Sequence, residues 1–332
     1  MTREHPFAEY IRILGKGRHG SKTLSQEQAY AAMKMILAGE ALPMQIGAFL
    51  MLIRVREETG EETAGFVAAA RESLAIPDDA PAVRLDWSSY AGKRRHLPWF
   101  VLAALLLARN GVSVFMHGIG GRDDGRVYTP DALASLGIRE CKSLPEAARA
   151  IKEQNFAFAT LSHISPAIDR LINLRPLLGL RSPINTVARM LNPFRAPVLM
   201  QGIFHPGYLE IHQAAALLLR QPHMAVLKGE GGEIERNPDS PCVVKTVHEG
   251  VAQEEEWPAM FGARHLKDQS MDRQRLGALW RGDIEDEYGA AAVVGTTAIA
   301  LKALGQANTV EAARALAADL WKRRPVAWQD AA

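Results

Sequence analysis

A strand-like run, an apolar helix and a second strand-like run follow one another between Ala82 and Gly118: AVRLDW, WFVLAALLLARNG and GVSVFMHG. Two strands joined through a helix lie parallel, because the crossover carries the chain back to the starting edge, and its right-handedness sets the side on which the helix packs. This unit commits the chain to an α/β fold with a central, mainly parallel sheet. FAFATL, APVLMQGI, HMAVLKGE and CVVKTV supply further strands, with helical spacing in DALASLGI, SLPEAARAIKEQ, PAIDRLINLRPLLGL, INTVARMLN and YLEIHQAAALLLRQ between them.

The first eighty residues follow a different grammar. FAEYIRILGKG, LSQEQAYAAMKMILAGE, LPMQIGAFLMLIRVREETG and EETAGFVAAARESL each repeat apolar residues at three- and four-residue spacing, with Gly39 and Gly60 read as stops. Ser25 followed by Gln28 has the pattern of a capping box. DDAPAV, at 78–83, reads as a linker. The expected architecture is an N-terminal helical domain over residues 1–78, joined in space by helices around 165–192, and a larger α/β domain over 79–332.

Composition narrows the class. With 48% hydrophobic and 23% charged residues the chain reads as globular throughout. Its two cysteines, Cys141 and Cys242, offer neither a metal-ligand spacing nor a disulfide framework, and read as buried thiols in a reducing cytoplasm. The longest apolar run, WFVLAALLLA, is too short to span a bilayer, and the N-terminus lacks the pattern of a secretory signal, so the expectation is a soluble cytoplasmic protein.

A formal net charge of +2 does not by itself point to a polyanion, but the cations are clustered. The turn SSYAGKRRHLPWF places Lys93, Arg94 and Arg95 between a strand and a helix, at the sheet edge where ligands bind and helix N-termini favour anions. Lys16, Arg18 and Lys22 lie in a glycine-rich stretch without acids. A third cluster contains Arg170, Arg175, Arg181, Arg189 and Arg195, and a fourth Arg264, Lys267, Arg273, Arg275 and Arg281. Acids concentrate elsewhere, in EETGEE, EGVAQEEEW and RGDIEDE, so the pattern suggests a basic stripe suited to phosphates. Tyr90 is the candidate ring for base stacking, whereas Trp99 and Phe100 read as core. The glycines of HGIGGRDDGR do not match a dinucleotide fingerprint and read as a loop, and GEGGE at 229–233 reads as a strand-to-loop turn.

Several segments in chain order resemble anthranilate phosphoribosyltransferase and its relatives, the glycosyltransferase family 3 and class II nucleoside phosphorylase fold. They are GEALPMQIGAFLMLIR with Gly39, Gln45, Ile46, Ala48, Phe49 and Leu50, then Gly65, VFMHG at 114–118, DALASLGI at 131–138, FAFA at 156–159, LGLRSPINT at 178–186, LNP at 191–193 and KGEGGEIE at 228–235. The resemblance implies a helical domain on an α/β domain and a homodimer formed through the helical domain. It also implies an ancestral site in which loop amides cradle phosphates and acidic residues hold magnesium.

The motifs of that site depart from the family. The Gly-Thr-Gly-Gly-Asp loop reads Ser88-Ser89-Tyr90-Ala91-Gly92, and the downstream Asn-x-Ser-Thr is replaced by LPWF. Lys-His-Gly-Asn-Arg reads Met116-His117-Gly118-Ile119-Gly120, and the metal-binding Asp-Glu pair reads Ile234-Glu235. Asn185, Asn192 and Pro193 persist, but Ala188-Arg189 stands for Gly-Pro, while Arg181 matches the arginine that meets the acceptor's carboxylate. Ser88, Ser89, Gly92, His117, Gly118, Asn185 and Glu235 are then a vestigial substrate site. The departures place the chain nearest the YbiB-like branch of nucleic-acid-binding relatives.

The expected function is sequence-nonspecific binding of nucleic acid, single- or double-stranded, through Lys16, Arg18, Lys22, Lys93, Arg94, Arg95, Arg181, Arg189, Arg264, Lys267, Arg273 and Arg275 of a homodimer. No catalytic residue, metal or cofactor is expected. The alternative is an active phosphoribosyl transferase, requiring magnesium, in which Lys93, Arg94 and Arg181 meet a phosphorylated sugar directly.

Overall fold

A computed structural model describes residues 4–17, 19–121 and 125–326. Four helices open the chain: α1 (Ala8–Gly15), α2 (Gln26–Leu37), α3 (Pro43–Arg56) and α4 (Gly60–Glu72). The α/β alternation follows with β1 (Leu85–Ser89), α5 (Phe100–Arg109), β2 (Val114–Gly118), α6 (Thr129–Ser135), α7 (Leu144–Gln154) and β3 (Phe156–Thr160). Short helices α8 (Leu161–Ile164), α9 (Pro166–Ile172), α10 (Arg175–Leu178) and α11 (Ile184–Arg189) lead to β4 (Val198–Ile203), α12 (Tyr208–Leu218) and β5 (His223–Lys228). The chain ends with β6 (Cys242–His248), β7 (Val251–Trp257), α13 (Gln274–Arg281), α14 (Glu287–Ala303) and α15 (Val310–Lys322).

The strands form one sheet in the order β3-β2-β1-β4-β5-β6-β7. β1 to β5 pair in parallel, and β6 and β7 add an antiparallel ribbon at one edge. The chain winds outward through β2 and β3, then returns to the other side of β1 with β4. The boundary between β1 and β4 is therefore the topological switch point, outside whose carboxyl end an open α/β sheet leaves its crevice.

Alternating side chains divide the core. Trp87, Met116, Phe158 and Met200 face one side, where α5 is buried from Phe100 to Ala108 and packs with α14. A helix apolar all round must be enclosed all round, which explains its central place. Leu199, Ile203, Met224 and Val226 face the other side and join the apolar faces of α1 to α4, together with Leu161, Ile168, Ile184 and Val187 from the segment before β4. Cys141 is buried and Cys242 only partly so, and both are free thiols.

The structure changes two local readings and adds a helix that the sequence left unread. EGVAQEEEW, read as an acidic cluster, contains the edge strand β7, whose Glu254 pairs with Lys245 and Glu255 with Lys302. A charged edge strand lacks the alternating apolar face by which strands are recognised, and its charges also discourage edge-to-edge pairing. Gly39 has φ 76 and follows α2 as expected, but Gly60 begins α4 instead of ending a helix, with Thr59 as its N-cap. A long helix lies at 287–303, where GAAAVVGTT shows no polar face to mark it. The capping box at Ser25 is present, with Gln28 Oε1 accepting from the Ser25 N–H at 3.0 Å.

Gly65 permits the close approach of α2 and α4, because a Cβ there would overlap the Gln26 carbonyl oxygen. Alanine in an exposed helix interior is ordinarily the better residue by about 1 kcal/mol. Here Gly65→Ala is expected to lower stability by about 1–3 kcal/mol, the range for overpacking a close contact, as measured by urea unfolding.

Candidate functional site

The turn that follows β1 lies at the switch point, and its lysine and its amides are engaged by three glutamates from one segment, Glu230 to Glu235, which follows β5. Glu233 Oε1 accepts the Ala91 and Gly92 N–H groups, each at 2.6 Å. Glu230 Oε1 accepts those of Arg95 at 2.7 Å and Arg94 at 3.2 Å. Glu235 Oε2 accepts the Phe100 N–H, at the start of α5, at 2.9 Å. Gly92, with φ 68, provides the left-handed bend that turns these amides toward the glutamates.

Lys93 corrects the central expectation. Its side chain is 1% exposed, with Nζ 2.5 Å from Glu235 Oε1 and 2.9 Å from Glu230 Oε2, so it is not available to a nucleic-acid phosphate. Burial alone would pull its pKa down, but attraction from Glu235 and Glu230 outweighs burial and leaves the value raised. Burial opposes ionisation of Glu230 too, yet Lys93 and the Arg94 and Arg95 amides hold its pKa below the ordinary value. The side chains of Arg94 and Arg95 stay exposed on the turn.

The other residues of the vestigial site assemble beneath the turn as a polar core. His117 Nδ1 is 2.7 Å from Tyr90 Oη, and its Nε2 is 3.1 Å from Asp86 Oδ1. Ser89 shares a hydrogen bond with Thr129 at 2.6 Å, and Ser88 is buried beside it on β1. A Cβ on Gly118 would overlap the Ser89 carbonyl oxygen, so β1 and β2 can pair here only around glycine. Tyr90, expected as a stacking ring, is buried and held by His117; Phe204, just after β4, is the ring left half exposed in this region. Arg189 is also corrected: it is buried, donating to the Gly202 carbonyl at 3.0 Å and to the Asn185 carbonyl at 2.8 Å. At a position where the family motif has proline, this chain carries an internal strut, which the cluster of cations in the sequence could not reveal.

A second group of cations gathers around Arg181. Burial first, then repulsion from Arg175, Arg126 and Arg54, lowers the pKa of Arg181. Its three neighbours come from different parts of the chain: Arg54 from α3, Arg175 from α10 and Arg126 from the connection before α6. Arg126 also donates to the carbonyls of Ala91 and Gly92, linking this group to the turn. Arg175 is exposed, Arg181 is exposed over part of its surface with the rest covered, and neither makes an ion pair with a described residue. Arg54 and Arg126 were missed in the sequence because each stands outside a local run of cations.

The remaining candidates divide. Lys16 and Lys22 are exposed on the α1–α2 connection, while Arg18 lies outside the described residues. Arg264 and Lys267 are exposed on the β7–α13 connection. That connection is tied to the turn by Asp268, which accepts the Leu97 N–H at 2.9 Å and donates its own N–H to the Arg95 carbonyl at 2.8 Å. Arg275 is engaged by Asp268 and Asp286 at 3.3 and 2.5 Å and is not the free phosphate ligand expected, whereas Arg273 is exposed, in a surface pair with Asp131 at 3.2 Å that leaves it accessible.

Magnesium does not fit this arrangement. The ion requires oxygen ligands in near-octahedral order. Here Ile234 replaces one acidic residue, and the Lys93 ammonium stands between Glu230 and Glu235, where a metal would need to bind. Among the described residues no group of three or more histidine, cysteine or acidic side chains is placed to hold a metal ion, and no helix is long and apolar enough to cross a membrane.

The architecture matches known proteins over both parts. Residues 8–74 match the helical bundle domain of the glycosyl transferase family, and residues 100–323 match its a/b domain. The chain belongs to this family. More narrowly, it has an anthranilate phosphoribosyltransferase-like fold. It is 31% identical over 246 residues to an uncharacterized protein from Aquifex aeolicus, covering 73% of each chain. It is 29% identical over 231 residues to anthranilate phosphoribosyltransferase from Symbiobacterium thermophilum, covering 69% of this chain and 67% of the other. The crystal structure of anthranilate phosphoribosyltransferase from Thermus thermophilus superposes with a TM-score of 0.79 at 25% identity, covering 94% of both chains.

The pairing in the crevice predicts a strong asymmetry. Lys93→Met is expected to destabilise the fold by about 3–5 kcal/mol, because it strands two carboxylates in the interior. Adding Glu235→Gln should recover part of that loss. In the single variant, stability should rise as pH falls, since the stranded buried carboxyls bind protons more readily than those of the unfolded chain. Urea unfolding of both variants across a pH series measures each effect.

Proposed function

We propose that this protein binds the phosphate backbone of nucleic acid, without sequence preference, through the domain cleft of a cytoplasmic homodimer. The observation that carries the reading is the gathering of Arg54, Arg126 and Arg175 around Arg181, whose pKa is lowered first by burial and then by repulsion from these three. Like charges drawn together from separate parts of the chain oppose folding, and a polyanion lying in the cleft relieves that repulsion. Arg94 and Arg95, with Arg264 and Lys267 on the adjoining connection, extend the cationic surface along the turn. Phe204 offers a face on which a base can stack.

Transferase chemistry has less support in the residues. The turn amides that a phosphorylated donor would need already bond to Glu233 and Glu230, and Lys93 is paired with Glu230 and Glu235. The relatives named for anthranilate phosphoribosyl transfer support the scaffold; the residues at the crevice favour binding over transfer.

A fluorescence-anisotropy titration of labelled duplex DNA across a salt series tests this. If about five phosphates are neutralised, log K should fall against log salt with a slope of roughly −4.5. Replacing both Arg175 and Arg181 by Ala should weaken binding and make the slope shallower by about 2. A flat salt dependence, or an unchanged slope in the double variant, removes this interface. Product formed from a phosphoribosyl donor and magnesium with an aromatic acceptor would restore the transferase reading.

The helical part also presents an apolar surface for self-association. Met44 and Val55 on α3 are 78% and 81% exposed, with Leu42 at its N-cap 48% exposed. Met51 and Leu52 continue this side beside a cavity of about 550 Å³, whose lining includes Leu14, Ala48 and Val55. Pairing of two such faces would bring two clefts onto one strand and multiply weak contacts by avidity. Light scattering should report a dimer for the wild type and a monomer for Met44→Lys/Val55→Glu.

A further inference from the structure

The turn after β1 has the features of an oxyanion site, and the chain itself supplies the anion. Backbone N–H groups that converge at a left-handed glycine beside the start of a helix favour negatively charged oxygen. Ala91 and Gly92 both donate to one oxygen of Glu233. Glu233 is 1% exposed, and its second oxygen, Oε2, is buried without a hydrogen-bond partner among the described residues. The guanidinium of Arg189 lies against the adjacent Gly232, 3.4 Å from where a Cβ would stand; burial draws its pKa down to about 10, and attraction to Glu233 opposes only part of that shift. One carboxylate oxygen thus satisfies both amides, while the other is buried and unmatched.

We propose that Glu233 is a built-in surrogate for a bound phosphate: its side chain fills an oxyanion site made by the Ala91 and Gly92 amides, and removing it opens that site to the inorganic phosphate dianion. A tetrahedral dianion can offer one oxygen to the two amides and direct another toward Arg189, a division that the planar carboxylate does not achieve. Glu233 then determines specificity by closing the crevice to small phosphorylated molecules. The assignment is independent of the cleft arginines, so the failure of either reading leaves the other standing.

Chemical rescue tests it with the full-length chain. In sodium chloride, Glu233→Ala should unfold at a lower temperature than the wild type. Replacing chloride by inorganic phosphate at matched ionic strength should raise the Tm of the variant by about 2–4 °C more than that of the wild type, once phosphate is tenfold above its dissociation constant. Reading the difference between the two proteins cancels the general effect of phosphate on stability. Equal responses would overturn the proposal. A second measurement serves if the alanine variant does not fold: in wild-type protein labelled with nitrogen-15, the Ala91 and Gly92 amide resonances should not move on titration with inorganic phosphate, but should move in Glu233→Gln, where a neutral amide replaces the charged acceptor. Phosphate-dependent shifts in the wild type, or unmoved resonances in Glu233→Gln, would likewise overturn it.

Discussion

The ammonium of Lys93, held between Glu230 and Glu235, is the interaction on which the crevice depends. It joins the turn after β1 to the segment after β5 across the intervening strand β4. Neither partner could be buried alone, since an unpaired charge in such surroundings is expelled, neutralised or destabilising. Once the pair is in place, the rest of the segment falls into register with the turn. Glu233 reaches the Ala91 and Gly92 amides, Glu230 those of Arg94 and Arg95, and Glu235 the start of α5.

This internal bonding separates two kinds of cation that look alike in one dimension. Lys93 and Arg189 face inward and stabilise the floor of the crevice, one through carboxylates and the other through backbone carbonyls. Arg94, Arg95, Arg175 and Arg181 are exposed. The floor of the crevice is therefore closed by the chain's own opposite charges.

Much of the architecture was legible because it rests on local patterns. The unit from Ala82 to Gly118 required parallel strands, and the three- and four-residue spacing of the first eighty residues required helices. Ser25 and Gln28 announced a helix start that the structure contains. The readings that failed involve residues whose local signal is weak or double-valued. β7 carries consecutive glutamates instead of an alternating apolar face, and Gly60 could as readily begin a helix as end one. GEGGEIE carried the plainest missed signal: its acids, Glu230, Glu233 and Glu235, stand at the end of one strand and complement the cations and amides that follow another.

By itself, the sequence determined that the chain is a helical unit followed by an α/β unit, that its cations are locally clustered, and that its motifs depart from those of phosphoribosyl transfer. Periodicity and composition act over a few residues, so they survive in one dimension. Only the tertiary structure decided which cations are used internally and which face solvent, because Lys93 meets Glu235 from 142 positions away and Arg181 is set against Arg54 and Arg126 by the packing of separate elements. Electrostatic energy depends on distance in space and on burial, and sequence spacing records neither once the chain has crossed from one strand to another.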